Sequence, residues 1–143
     1  MSYGNALKSY QKTNIQTADT IKLVILCYDA VIRDLEIARD FHENNAIENG
    51  YVKIRHAQDI ITELLLGLDY ERGGEISINL SKIYNFMLRE LMVINSSKDT
   101  KIYTHIIKML AELKEAWEHV RKASSQMSPL GAGLDARNWG VRA

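Results

Sequence analysis

The residues whose chemistry could make a catalytic or metal site are four histidines, one cysteine and a group of acids around a glycine pair. His42, His56, His105 and His119 stand on four separate stretches, with no two at the i, i+4 spacing that lets one helix face hold a zinc ion. A di-iron centre in a helical bundle needs Glu-x-x-His on two helices, and no acid precedes a histidine here by three positions. Each histidine therefore reads as a surface or flanking residue, and no metal or other cofactor is expected. Asp69, Glu71 and Glu75 crowd around Gly73 and Gly74. Paired-carboxylate catalysis would need them enclosed in a cleft, whereas a solvated turn with Glu75 at a helix N-terminus accounts for them simply. The glycine pair lacks the lysine and hydroxyl of a phosphate-binding loop, and no G-x-S-x-G elbow occurs. Cys27 has no second cysteine to pair with and lies in an apolar run, so it reads as a small buried side chain. Catalysis is left without a candidate, and the chain is expected not to be an enzyme.

Binding must then rest on surface. Eighteen basic and eighteen acidic residues cancel, so no overall field draws in a nucleic acid or an anionic membrane, and neither is an expected partner. No run of 18 apolar residues is present for membrane insertion, and Met1 to Gln16 lacks the apolar core of a signal peptide. A cytoplasmic protein is expected, monomeric or weakly homodimeric, recognising its partner through shape and apolar contact.

The elements follow from apolar spacing between breakers. Ile21, Val24, Ile25, Tyr28, Val31, Ile32, Leu35 and Ala38 recur at three and four, predicting a helix from Ala18 to Asn44 with Thr17 or Asp19 as its N-cap. Ile54, Ala57, Ile61, Leu64 and Leu68 predict a second from Tyr51 to Leu66, stopped at Gly67. LDYERGGE reads as a turn in which Gly73 and Gly74 supply positive φ. Ile76, Leu80, Ile83, Tyr84, Met87, Leu91 and Ile94 predict a third helix from Glu75 to Asn95. Ile102, Ile106, Met109, Leu110, Leu113, Trp117 and Val120 predict a fourth from Asp99 to Lys122. Four amphipathic helices on short loops make an all-α, antiparallel up-down four-helix bundle. It spans residues 17–123, between a flexible N-terminal arm, 1–16, and a flexible, glycine- and serine-containing C-terminal tail, 124–143.

The first helix is apolar on two faces. Besides its core stripe it carries Leu23, Leu26, Ala30 and Ile37 on the other side. Either this helix is the central one, touched from several sides, or its second face joins Ile60 and Leu66, Ile78 and Leu88, or Tyr103 and Ile107 of the other helices to form grooves for a partner's amphipathic helices.

Tyr10-Gln11 followed by TADTIKLVILCYDAVI, with Thr17, Ala18, Leu23, Tyr28 and Asp29, resembles the entry pattern of the FliS family of flagellin-specific export chaperones. HAQDIITELLLGLDYERGGEISINLSKIYNFMLREL resembles that family's middle region through Ala57, Ile60, Ile61, Leu64, Leu68, Asp69, Gly73, Gly74, Ile76, Leu80, Tyr84, Met87 and Leu91, and Leu113 with Trp117 extends the likeness to Lys122. Thr20 stands where a proline is common, Cys27 where leucine or methionine is usual, and Ala30 where glycine is common. The resemblance implies a chaperone that binds the disordered C-terminal segment of flagellin, prevents its premature polymerisation and delivers it to the flagellar type III export apparatus, with export-gate components as further candidate partners. In the resembling family the arm can lie over part of the client-binding surface, and Tyr10 occupies the position of the arm tyrosine; Leu23, Leu26, Ala30, Ile37, Ile60, Ile78, Leu88, Tyr103 and Ile107, from the second apolar faces, are the other candidate client contacts. The competing reading is a helical adaptor or regulatory protein that docks another flagellar partner through the same grooves.

Overall fold

The computed structural model describes residues 17–126, and the expected arm and nearly all of the expected tail lie outside that range. Five α-helices follow one another: α1 Thr17–Glu43, α2 Tyr51–Leu66, the single turn α3 Tyr70–Gly73, α4 Glu75–Met92 and α5 Lys101–Gln126. Short 3-10 turns at Ile47–Gly50 and Ile94–Ser96 lead out of α1 and α4. The four long helices form the expected all-α up-down bundle.

Local chemistry sets the ends, and several differ from the sequence expectation. Thr17 is already helical, so Asp19 sits in the first turn of α1, where its charge favours the helix dipole, and not at the cap. At the other end Asn45 takes φ 58°. The Ala46 amide bonds to the Phe41 carbonyl at 2.8 Å and the Asn45 amide to that of His42 at 3.1 Å. This is a Schellman stop with asparagine in the left-handed position, and it ends α1 at Glu43. α4 ends at Met92, three residues earlier than expected, because the chain tightens into the 3-10 turn that keeps Ile94 buried. α5 starts after Asp99, whose Oδ1 accepts the Lys101 amide at 2.8 Å, and it continues through Gln126, past the expected boundary at 123. The LDYERGGE turn contains α3, capped by Asp69, whose side chain accepts from the Glu71 and Arg72 amides. Only Gly74 of the glycine pair has positive φ, at 51°.

The helices lie side by side in the order α5, α1, α2, α4, each packed against the next. The pairs Asp29–Lys114 and Arg39–Thr104 tie rising positions of α1 to falling positions of α5, so those two run antiparallel. α1 is the central helix, and Ile21, Val24, Tyr28, Val31, Leu35 and Ala38 form its share of the core. Gly50 brings the first 3-10 turn onto it so closely that a Cβ there would stand 3.2 Å from the Ala38 Cα.

Candidate functional site

The family-motif residues hold the scaffold. Tyr28, on α1, and Tyr84, on α4, are both buried, with hydroxyl oxygens 2.6 Å apart. Trp117 Nε1, from α5, donates to the Tyr28 oxygen at 3.0 Å. Burial pushes the Tyr28 phenol up to about 12 and Tyr84 well above its ordinary value. Asp29 accepts from Lys114 Nζ at 2.8 Å, and that hydrogen bond raises the lysine pKa. Leu68 is buried, Asp69 caps α3, and the Asp69 carbonyl accepts the Ser77 hydroxyl at 2.8 Å. With Gly73 buried in α3 and Gly74 at its end, this cluster turns the chain from α2 into α4. Thr17 opens α1.

The residues expected to face a client do not form one surface. Leu23, Ala30, Ile60 and Tyr103 are buried. The second apolar face of α1 corrects to that extent from groove to interior, because α1 is flanked by α2 and α5 at once. Leu88 and Ile107 are partly buried against the core. Leu26, Ile37 and Ile78 are exposed, as is Leu66. Tyr10 lies outside the described residues.

The structure instead assembles a site from the flank of the core stripe. α4 and α5 are joined by a short connection, yet their backbones make no approach comparable with the three close helix pairs. Ile76, Ile83, Phe86 and Glu90 share one face of α4, and Ile102, His105, Met109 and Leu113 share one face of α5. Phe86 and His105 join the two faces, meeting edge-on with ring centroids 5.8 Å apart, and Glu90, Ile102 and His105 line one cleft at their end. Ile76, Ile83, Phe86, Ile102, Met109 and Leu113 pack only partly against the core, leaving an apolar seam half open along the bundle. Five of these six belonged to the expected core stripes. Periodicity finds a stripe but cannot tell its covered edge from its open one.

A family model described as Flagellar protein FliS matches residues 3–124. The chain belongs to the FliS family. Flagellar secretion chaperone FliSB of Pseudomonas aeruginosa is 32% identical over 119 residues, covering 80% of this chain and 94% of that protein. Flagellar secretion chaperone FliS of Salmonella typhimurium is 31% identical over 134 residues, covering 90% and 99%. The Bacillus subtilis flagellar secretion chaperone FliS is 26% identical over 118 residues, covering 82% and 87%.

Two histidines of this FliS chain do more than line the surface. His42 Nε2 donates to the Ser97 carbonyl at 2.9 Å, and Nδ1 of the same ring lies 3.0 Å from the Tyr103 hydroxyl oxygen. It thereby ties the end of α1 to α5 and to the α4–α5 connection. His56 Nδ1 lies 2.5 Å from Oδ2 of the buried Asp34, joining α2 to α1. Cys27 is buried, and burial pushes its thiol up to about 12. Among the described residues no cluster of three or more metal-ligating side chains occurs, and no helix is long and apolar enough to cross a membrane.

Proposed function

We propose that this FliS protein is a cytoplasmic, non-catalytic export chaperone that binds the C-terminal segment of flagellin, blocks its premature polymerisation and hands it to the flagellar type III export apparatus. The observation that carries the reading is the half-open seam between α4 and α5, in a chain whose relatives are flagellar secretion chaperones. An amphipathic helix laid along the seam sets its apolar stripe against Ile83, Phe86 and Met109, which is the geometry of helix-in-groove recognition. Leu26, Ile37 and Ile78 are outlying contacts for a client that wraps further round the bundle.

Covering the exposed part of one such side chain, about a third of it at most, contributes about 0.5 kcal/mol. Six of them then supply about 3 kcal/mol against roughly 2–5 kcal/mol for ordering a disordered segment. The seam alone only balances that cost, and the outlying contacts on Leu26, Ile37 and Ile78 add the net affinity, so binding is reversible and release needs no nucleotide hydrolysis by the chaperone. Occlusion is the mechanism: a client stripe held in the seam is unavailable to another client.

Calorimetric titration of the full chain with a flagellin C-terminal peptide tests it. Saturable binding with a rise in helicity and a negative heat-capacity change is expected. A flat titration at micromolar concentrations, or binding that survives deletion of the flagellin C-terminal segment, rejects the reading, and the second outcome selects the adaptor.

A further inference from the structure

The end of the bundle where α2 begins and α4 stops carries apolar surface and cations that the seam does not use. Tyr51 and Val52 of α2 are exposed, and Met92 at the end of α4 is 71% exposed. Between the first two turns of α2 and the last turn of α4 opens a cleft of ≈ 250 Å³, with Ile54, Leu91 and Ile94 on its buried side and Tyr51, Arg55, Gln58 and Met92 along its walls. Arg55 lies one turn beyond Tyr51 on α2, and Arg89 lies one turn before Met92 on α4, so each wall joins an apolar knob to a guanidinium on the same helix face. Both arginines are exposed, and neither has an ion-pair partner among the described residues. Among the described residues Arg55 is the only charged one lining the cleft.

We propose that this cleft docks an acidic, apolar-anchored peptide segment of a second protein. A leucine, isoleucine or phenylalanine side chain enters between Tyr51 and Met92, while aspartate or glutamate carboxylates on either side of it meet Arg55 and Arg89. The residue types suit the task. Guanidinium is weakly hydrated and presents a planar fork that matches a carboxylate. Methionine adapts its shape to the inserted group. Tyrosine, methionine and arginine are the types enriched at interface cores. On a chain whose charges cancel, two uncompensated cations beside an apolar cleft are a local preference for acid and not a general field. The cleft uses the α2 side of α4 and shares only the buried Ile94 with the cleft at the end of the seam, so a peptide held here does not rest on what lies against Ile83 and Met109.

Fluorescence anisotropy with the full chain and two labelled synthetic peptides decides the matter. One peptide carries leucines flanked by glutamates, and the other replaces every glutamate with lysine. The glutamate peptide is expected to bind saturably and more weakly as salt rises, while the lysine peptide binds poorly. Arg55→Glu and Arg89→Glu should each weaken the glutamate peptide by roughly fivefold, the range of a partly exposed ion pair. Met92→Ala should weaken it as well, with thermal melts confirming that all three variants fold. Ile83→Ser, in the seam, should leave it unchanged. No binding by the glutamate peptide, equal binding of both peptides, an unchanged dissociation constant in both arginine variants, or loss of binding in Ile83→Ser would each overturn the proposal.

Discussion

The hydroxyl oxygens of Tyr28 and Tyr84 stand 2.6 Å apart inside the bundle and join α1 to α4, two helices that do not otherwise pack closely along their lengths. The Tyr28 oxygen also accepts from the Trp117 indole, so three helices meet at one atom. Tyr28→Phe removes that atom while keeping the ring. A loss of about 1–3 kcal/mol is expected, the cost of stripping a partner from buried polar groups. The Tyr28→Phe, Tyr84→Phe double variant should lose less than the sum of the single losses, because it removes both halves of one bond. Urea denaturation of the three variants gives the comparison, and strict additivity would show that the two hydroxyls act separately.

Alkaline pH should loosen the fold through the same residues. Burial raises Tyr28 from 10.0 to about 12 and Cys27 from 9.0 to about 12. Their folded forms therefore hold protons that the unfolded chain releases. This contribution to stability is complete below about pH 9, declines as the unfolded groups ionise, and is lost by about pH 12. Urea midpoints measured between pH 8 and 11 should fall, and iodoacetamide should label Cys27 at neutral pH only when denaturant is present. Rapid labelling of the native protein would contradict the buried placement.

Asp34 is buried on α1 and His56 is its partner across the α1–α2 interface. His56→Ala strands that carboxyl, so it should cost about 1–3 kcal/mol, beyond the roughly 0.5 kcal/mol of an ordinary surface change. Asp34→Asn keeps a polar partner for the ring and should cost less. Thermal melts at neutral pH rank the two, and the reverse order would mean that the histidine contributes by packing alone.

Gly74 adopts φ 51° and ψ −122°, with open space where a Cβ would go. Gly74→Ala therefore meets no collision, and its expected penalty of about 1–3 kcal/mol is purely backbone strain. Asp69→Ala, which removes the α3 cap, should cost about 1 kcal/mol. If Gly74→Ala were neutral in chemical denaturation, the chain between α3 and α4 must relax to an ordinary φ.

Phe86 sits in the α4–α5 seam against His105, while Leu26 lies exposed on α1. Phe86→Ser should weaken flagellin-peptide binding by about tenfold, equivalent to 1.4 kcal/mol. Leu26→Asp should weaken it less and leave the melting temperature nearly unchanged. Dissociation constants set beside melting temperatures separate the two sites. A larger loss of affinity in Leu26→Asp would move the client from the seam to the outer face of α1.

Much of the fold was legible because apolar spacing is a local property. Leu64, Leu80, Met87 and Leu110 fall on their stripes wherever the helices end up. Helix ends were less so, since they depend on backbone bonds that the stripe does not encode. Asn45 stops α1 through a left-handed turn, and Ile94 stays buried although α4 ends at Met92. His42 and His56 carried no local signal for their roles, because Tyr103 and Asp34 lie 61 and 22 residues away along the chain.

By itself the sequence determined four amphipathic helices, the family-motif tyrosines, the Asp69 to Gly74 turn and a chain without a recognisable catalytic motif, all of which follow from residue type and short-range spacing. Only the tertiary structure decided which apolar residues stay open. Leu23 and Ala30 looked like spare surface and are buried, because α1 is enclosed by α2 on one side and α5 on the other. Ile83 and Met109 looked like core and line a half-open seam, because among the described long helices only α2 flanks α4 closely. Exposure is a property of neighbouring helices, and a helix's own sequence does not contain the distance to the next one.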